Sequence, residues 1–127
     1  MIASILIPQL KARFPNRGLR VSGDNPPIVT FPAIDFEIGD IEIHDDGDEA
    51  TLHLVNFTHK HFGNYDNHSP LAVREQKIVD EVMDTLELVF AGKIEFLGTR
   101  WSGGLGPRGS GKGKVFVWSG RVTVLSK

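Results

Sequence analysis

Apolar side chains near the amino terminus recur at Ile5, Leu6, Leu10 and Phe14, and this helical spacing predicts a short helix from about Ser4 to Phe14. Pro8 suits such a helix only within its first turn, where a missing N–H has no helical partner to lose. Pro15-Asn16-Arg17-Gly18 then ends it. Further on the pattern shortens to alternation. GLRVSG predicts one strand, and IVTF, between Pro27 and Pro32, predicts another. The prolines cannot donate to a ladder, so they place these strands or their ends at a sheet edge. In IDFEIGDIEIH the apolar positions Ile34, Phe36 and Ile38 have one parity, and Ile41 and Ile43 have the other. A one-residue bulge at Gly39 or a Gly-Asp hairpin would restore a single apolar face. Asp45-Asp46-Gly47-Asp48 predicts a turn, with EATLHLVNF returning as a strand.

The longest periodic segment predicts a helix over about 70–91. Ser69 is its N-cap, Pro70 its first helical residue and Gly92 its stop. Leu71, Ile78, Val82, Leu86 and Val89 form the stripe, widened by Val79, Met83 and Phe90. KIEFLGTRW and KVFVW then predict strands on either side of a glycine-rich loop, and Ser119-Gly120 predicts a turn into RVTVLSK. Hairpins with helices outside them define an α+β class. The expectation is a mainly antiparallel twisted sheet of about six to seven strands, with a short N-terminal helix and one long amphipathic helix packed on it. The 127 residues suit one domain spanning 1–127.

Composition narrows the chemistry. With 40% apolar residues, global disorder is not expected. The absence of cysteine removes thiol catalysis, disulfides and Cys-based zinc sites, and it suits a reducing compartment. The opening MIASILIPQLKAR lacks the leading positive charge and the apolar length of a signal peptide, and no segment has the length of a membrane span. A soluble cytoplasmic protein is expected.

The net charge of −2 conceals a strong segregation. Residues 1–34 carry four basic and one acidic residue, residues 35–66 one and nine, residues 67–92 two and five, and residues 93–127 seven and one. Such polarity either steers an oppositely charged partner or lets the two ends pair within one fold.

The basic end contains GPRGSGKGK, in which Gly106, Gly111 and Lys112 satisfy G-x-x-x-x-G-K. A nucleotide-binding loop needs a helix after the lysine and a Ser or Thr hydroxyl for magnesium. Here Gly113 follows Lys112, and KVFVWSGRVTV continues as an alternating β pattern. The motif is therefore not a Walker loop, and the backbone beyond Lys112 is expected to be extended. Its glycine amides, its cations and a stacking aromatic still make Arg100, Trp101, Arg108, Lys112 and Lys114 a candidate anion- or partner-binding set. The ordinary alternative is a long hairpin loop kept soluble by its cations. Trp101 and Trp118 flank it and are expected to pin its base by aromatic packing.

The second candidate lies in TLHLVNFTHKHFGNYDNH. On an unbroken strand His53, His59 and His61 share one face. His59 and His61 with Asp66 could hold a divalent transition metal that activates water. H-x-H without a third ligand at a diagnostic interval is common, and a solvated sheet face is the ordinary alternative. His44 is expected at the surface and His68 in a loop. Asp45, Asp46, Asp48 and Glu49 fail the calcium-loop spacing and suit a plain Asp-Gly turn. Asp35, Glu37 and Glu42, set between apolar residues, suit a solvated strand face.

These features are most consistent with a small non-enzymatic binding or adaptor module without a cofactor. Its basic glycine-rich loop and acidic sheet region would recognise a charged partner, a protein or another charged macromolecule. The acidic balance disfavours nucleic acid, and an unpaired edge strand would allow a homodimer. The alternative is a metal-dependent hydrolase or nuclease with a His59/His61/Asp66 site, in which Lys112 or Arg108 holds an anionic substrate.

Overall fold

The computed structural model describes residues 1–54, 56–66, 68–97, 104–109 and 113–124; at 97, 104, 113–115 and 121–124 it describes the backbone alone. Its order is α1 (Ile2–Arg13), β1 (Arg20–Ser22), β2 (Ile28–Phe31), β3 (Ile41–Asp45), β4 (Glu49–Leu54), β5 (Thr58–Gly63), α2 (Leu71–Phe90), β6 (Ile94–Leu97), β7 (Gly104–Pro107), β8 (Gly113–Val117) and β9 (Gly120–Val124). The fold is α+β, as the periodicity predicts. Its antiparallel strands divide between two sheets, of order β1-β2-β3-β4-β5 and β7-β6-β8-β9. The additional strands are β5, which the sequence reading runs on from β4, and β7, which lies inside the glycine-rich segment it treats as loop.

Helix α1 starts two residues earlier than its periodicity predicts, which places Pro8 in its interior rather than its first turn. The proline lacks the N–H that would bond to the carbonyl of Ser4, a cost of about 3 kcal/mol. Burial of Ile2, Ala3, Leu6 and Leu10 offsets this. Asp45 steadies the free end: its carboxylate accepts the Ala3 amide at 2.9 Å, placing negative charge at the helix N-terminus.

Helix α2 buries Ile78, Val79, Val82, Met83, Leu86 and Val89, while Leu71, at the head of the expected stripe, is exposed. Its N-cap is Pro70, not Ser69; the Ser69 hydroxyl donates instead to Asp66. Gly92 ends the helix as expected. At φ +71° it donates to the Val89 carbonyl, and Lys93 donates to Leu88, the paired bonds of a Schellman close.

The helices pack on each other, joined at their surface by Gln9–Gln76 and the Arg13–Glu87 ion pair, and cover one face of the five-stranded sheet. That inner face presents Val29, Phe31, Ile41, Ile43, Leu52 and Leu54, all buried. Registers Glu42↔His53 and His53↔His59 put the alternate residues on the opposite face. Rings join the second sheet to the same core, with Phe57 against Phe96 and Phe116, and Phe90 against Trp118. Trp118 itself is buried in the turn between β8 and β9, so the two-residue turn is Trp118-Ser119, one position earlier than predicted.

The largest departure is at 34–38. These residues form a turn, not a strand. The Asp35 side chain accepts the Glu37 amide and its carbonyl accepts those of Ile38 and Gly39, so the chain coils locally instead of pairing.

Candidate functional site

On the face turned from the helices, four imidazoles from three strands form a strip. His44 of β3 lies 4.6 Å from His53 of β4, His53 lies 5.9 Å from His59 of β5, and His59 lies 5.0 Å from His61, centroid to centroid. The chain does not run on unbroken here, as the shared-face expectation assumed. It turns after Leu54, where the Phe57 amide bonds to the Leu54 carbonyl, and the antiparallel return places His59 opposite His53. His44 joins the strip through its diagonal position.

Carboxylates border these rings. His44 Nε2 is 3.0 Å from Glu42, and His61 Nδ1 is 2.9 Å from the Thr51 hydroxyl and 3.6 Å from Glu49. The Thr51 hydroxyl also donates to Asp46. Partial burial lowers the pKa of His53 below the ordinary imidazole value, and repulsion from His44 and His59 lowers it further, opposed by Glu42 and Asp46.

Asp66, the third expected metal ligand, is engaged in its own turn. It accepts the Ser69 hydroxyl at 2.6 Å and the His68 amide at 2.9 Å, and these bonds hold its carboxyl below the usual carboxylate range. Among the described residues no group of three or more His, Asp or Glu side chains is arranged to hold a metal ion. In the acidic turn, Asp45 accepts the Gly47 amide as well as that of Ala3.

The second feature is the 33–40 turn. Phe36 is 87% exposed and Ile34 61% exposed, between Asp35 and Glu37. The backbone carrying them is nonetheless tied down. Asn56 donates to the carbonyls of Phe36 and Glu37 at 3.0 and 3.1 Å, the Ala33 amide bonds to Asp40 at 2.8 Å, and Ile38 is buried. Gly39, at φ +84°, lies so close to Asn56 that a Cβ there would sit 2.8 Å from the amide carbon. Asp35 in turn lies against Gly120 of the β8–β9 hairpin. Sequence reading missed this site because Ile34, Phe36 and Ile38 imitate strand alternation. The one available signal was the parity break at Gly39.

In the basic segment, Arg100, Trp101 and Lys112 lie outside the described residues, and Lys114 is placed by its backbone alone, on β8. Arg108 follows β7 and donates to Glu95 at 2.9 Å; Glu95 is fully buried and also accepts the Gly109 amide at 2.7 Å. The backbone from Gly113 to Val124 forms β8 and β9, so no helix N-terminus follows the glycines. No described helix is long and apolar enough to cross a membrane.

The site thus defines an α+β chain with an acidic, histidine-bearing side and a fixed aromatic projection. Comparison with protein-family models, with curated proteins and with solved structures gave no match.

Proposed function

We propose that the protein is a non-enzymatic binding module that recognises a charged partner through surfaces of opposite sign, with the 33–40 turn as the anchor of its acidic side. The observation that carries this reading is Phe36, nearly fully exposed on backbone fixed by Asn56, Asp35 and Asp40. An exposed phenylalanine forfeits apolar burial worth about 1.5–3 kcal/mol, which a partner's pocket would return. Interfaces concentrate their energy in such aromatic anchors, and a rigid backbone reduces the ordering cost of docking. The flanking acids specify a partner whose pocket is rimmed by Lys or Arg, and they act chiefly on encounter rate and selectivity. Glu42, Asp46 and Glu49 extend the same sign across the histidine-bearing face. The basic segment supplies the opposite surface.

The test is comparative capture. Immobilised wild type is expected to retain a basic protein that 0.5 M salt, about a threefold shorter screening length than at low salt, releases. Phe36→Ser is expected to lose it by at least tenfold, as is usual for a truncated anchor, and Asp35→Asn with Glu37→Gln to bind it more slowly. An identical retained set for wild type and Phe36→Ser would overturn the reading.

A further inference from the structure

We infer that His59 and His61 form a binding site for one late first-row divalent ion, Zn(II) or Cu(II), with Thr51 fixing the ligating nitrogen of His61. The inference is independent of the docking reading, and it replaces the His59/His61/Asp66 ligand set with one in which Asp66 has no part.

The proton inventory comes first. A threonine hydroxyl has one hydrogen to give and lone pairs to accept with. Thr51 donates that hydrogen to the Asp46 carboxylate, so its 2.9 Å contact with His61 Nδ1 must be one in which the imidazole donates. In neutral His61 the proton therefore sits on Nδ1, and Nε2, at the far end of the ring, keeps its lone pair. Glu49, 3.6 Å from the same Nδ1, favours that arrangement. A ring held through one nitrogen by a hydroxyl–carboxylate chain, with the other nitrogen free to ligate, is the usual state of a metal-binding histidine. Thr51, the middle link, is 2% exposed, whereas Asp46 at its far end is exposed and the His61 side chain is 56% exposed and reachable.

Separation selects the partner ring. Metal–nitrogen bonds of about 2.0–2.1 Å put a ring centroid about 3.2 Å from the ion, so two imidazoles bound side by side lie about 4.5–5.2 Å apart. His59 and His61, at 5.0 Å, fall in this window; His53 and His59, at 5.9 Å, fall outside it. His44 and His53, at 4.6 Å, also satisfy the distance, but the distal nitrogen of His44 is occupied by Glu42. Among the described residues only the His59/His61 pair combines the spacing with a distal nitrogen that has no described partner, on a positioned ring. Two imidazoles leave further coordination positions for water or for a partner's donor, and nitrogen ligands favour copper and zinc over magnesium or calcium.

Zn(II) titrated calorimetrically into the tag-free full chain is expected to show one saturable site per chain, in the micromolar range. Cu(II) added at substoichiometric amounts is expected to give an electron paramagnetic resonance signal with nitrogen hyperfine structure. His59→Ala or His61→Ala should abolish the saturable site, whereas His44→Ala and His68→Ala should leave it unchanged. Thr51→Val keeps the shape but breaks the chain to Asp46, and it should weaken Zn(II) binding about tenfold. Nitrogen NMR of wild-type His61 should report the Nδ1–H tautomer before metal is added, and Thr51→Val should turn this into a mixture of both. A merely structural Thr51 would leave the tautomer untouched. Absence of saturable binding below about 1 mM would overturn the inference, as would binding that survives both histidine substitutions in folded protein.

Discussion

The rotor of a single hydroxyl decides much of the histidine-bearing face, because Thr51, once it donates its one hydrogen to Asp46, can meet His61 only as an acceptor. No pattern in TLHLVNFTHKH reveals that chain, since it depends on an antiparallel return that brings β5 beside β4. The types and shared face of the histidines were legible; their true neighbours were not. Asp66 shows the same limit. It was a candidate ligand on the expectation that it folds back from the turn towards His61, but in the structure it bonds to the nearby Ser69 hydroxyl and His68 amide. Those bonds make a signed prediction. Because its folded pKa is depressed, Asp66 contributes stability that is present above the ordinary carboxylate value and lost as pH falls through its lower folded value. Ser69→Ala removes the larger cause and should move the Asp66 titration upward, read by NMR of its side-chain carbon.

At the scale of elements, periodicity served best where the segment was long. Helix α2 occupies Leu71–Phe90 against an expected 70–91, because six buried apolar positions on one stripe outweigh any local competitor. It failed at 34–38, where alternation was present but the Asp35 side chain offered the backbone a closer partner than a neighbouring strand. It also failed at Pro8, where tertiary burial overrode a local prohibition. The turn at 33–40 should be correspondingly sensitive at Gly39. A side chain there meets both the positive φ and the Asn56 amide, so Gly39→Ala is expected to destabilise by about 1–3 kcal/mol in urea denaturation. Asn56→Ala, which frees the carbonyls of Phe36 and Glu37, is expected to raise hydrogen exchange across 36–39 while α2 keeps its protection.

Over the whole molecule, one apolar cluster runs from α1 through the five-stranded sheet and α2 to Phe96 and Trp118 of the second sheet. Leu86, fully buried at its middle, should cost about 2–5 kcal/mol on truncation to alanine, measured as a lowered denaturant midpoint with an unchanged slope. The strict division of charge along the chain is only partly internal pairing. Arg13 meets Glu87 and Arg20 approaches Asp40, while the acids at 35 and 37 flank the exposed Phe36 and those at 46 and 49 border Thr51 and His61.

Glu95 is the lone acid of the basic end, and it lies wholly inside, gripping Arg108 and the Gly109 amide. The start of the connection from β7 to β8 is consequently moored to the interior rather than hung from it. Cutting the mooring by Arg108→Ala would take the guanidinium from a desolvated anion, at a cost of several kcal/mol by the usual penalty for breaking such a pair. Whatever the rest of the basic segment meets, this arginine answers first to the fold.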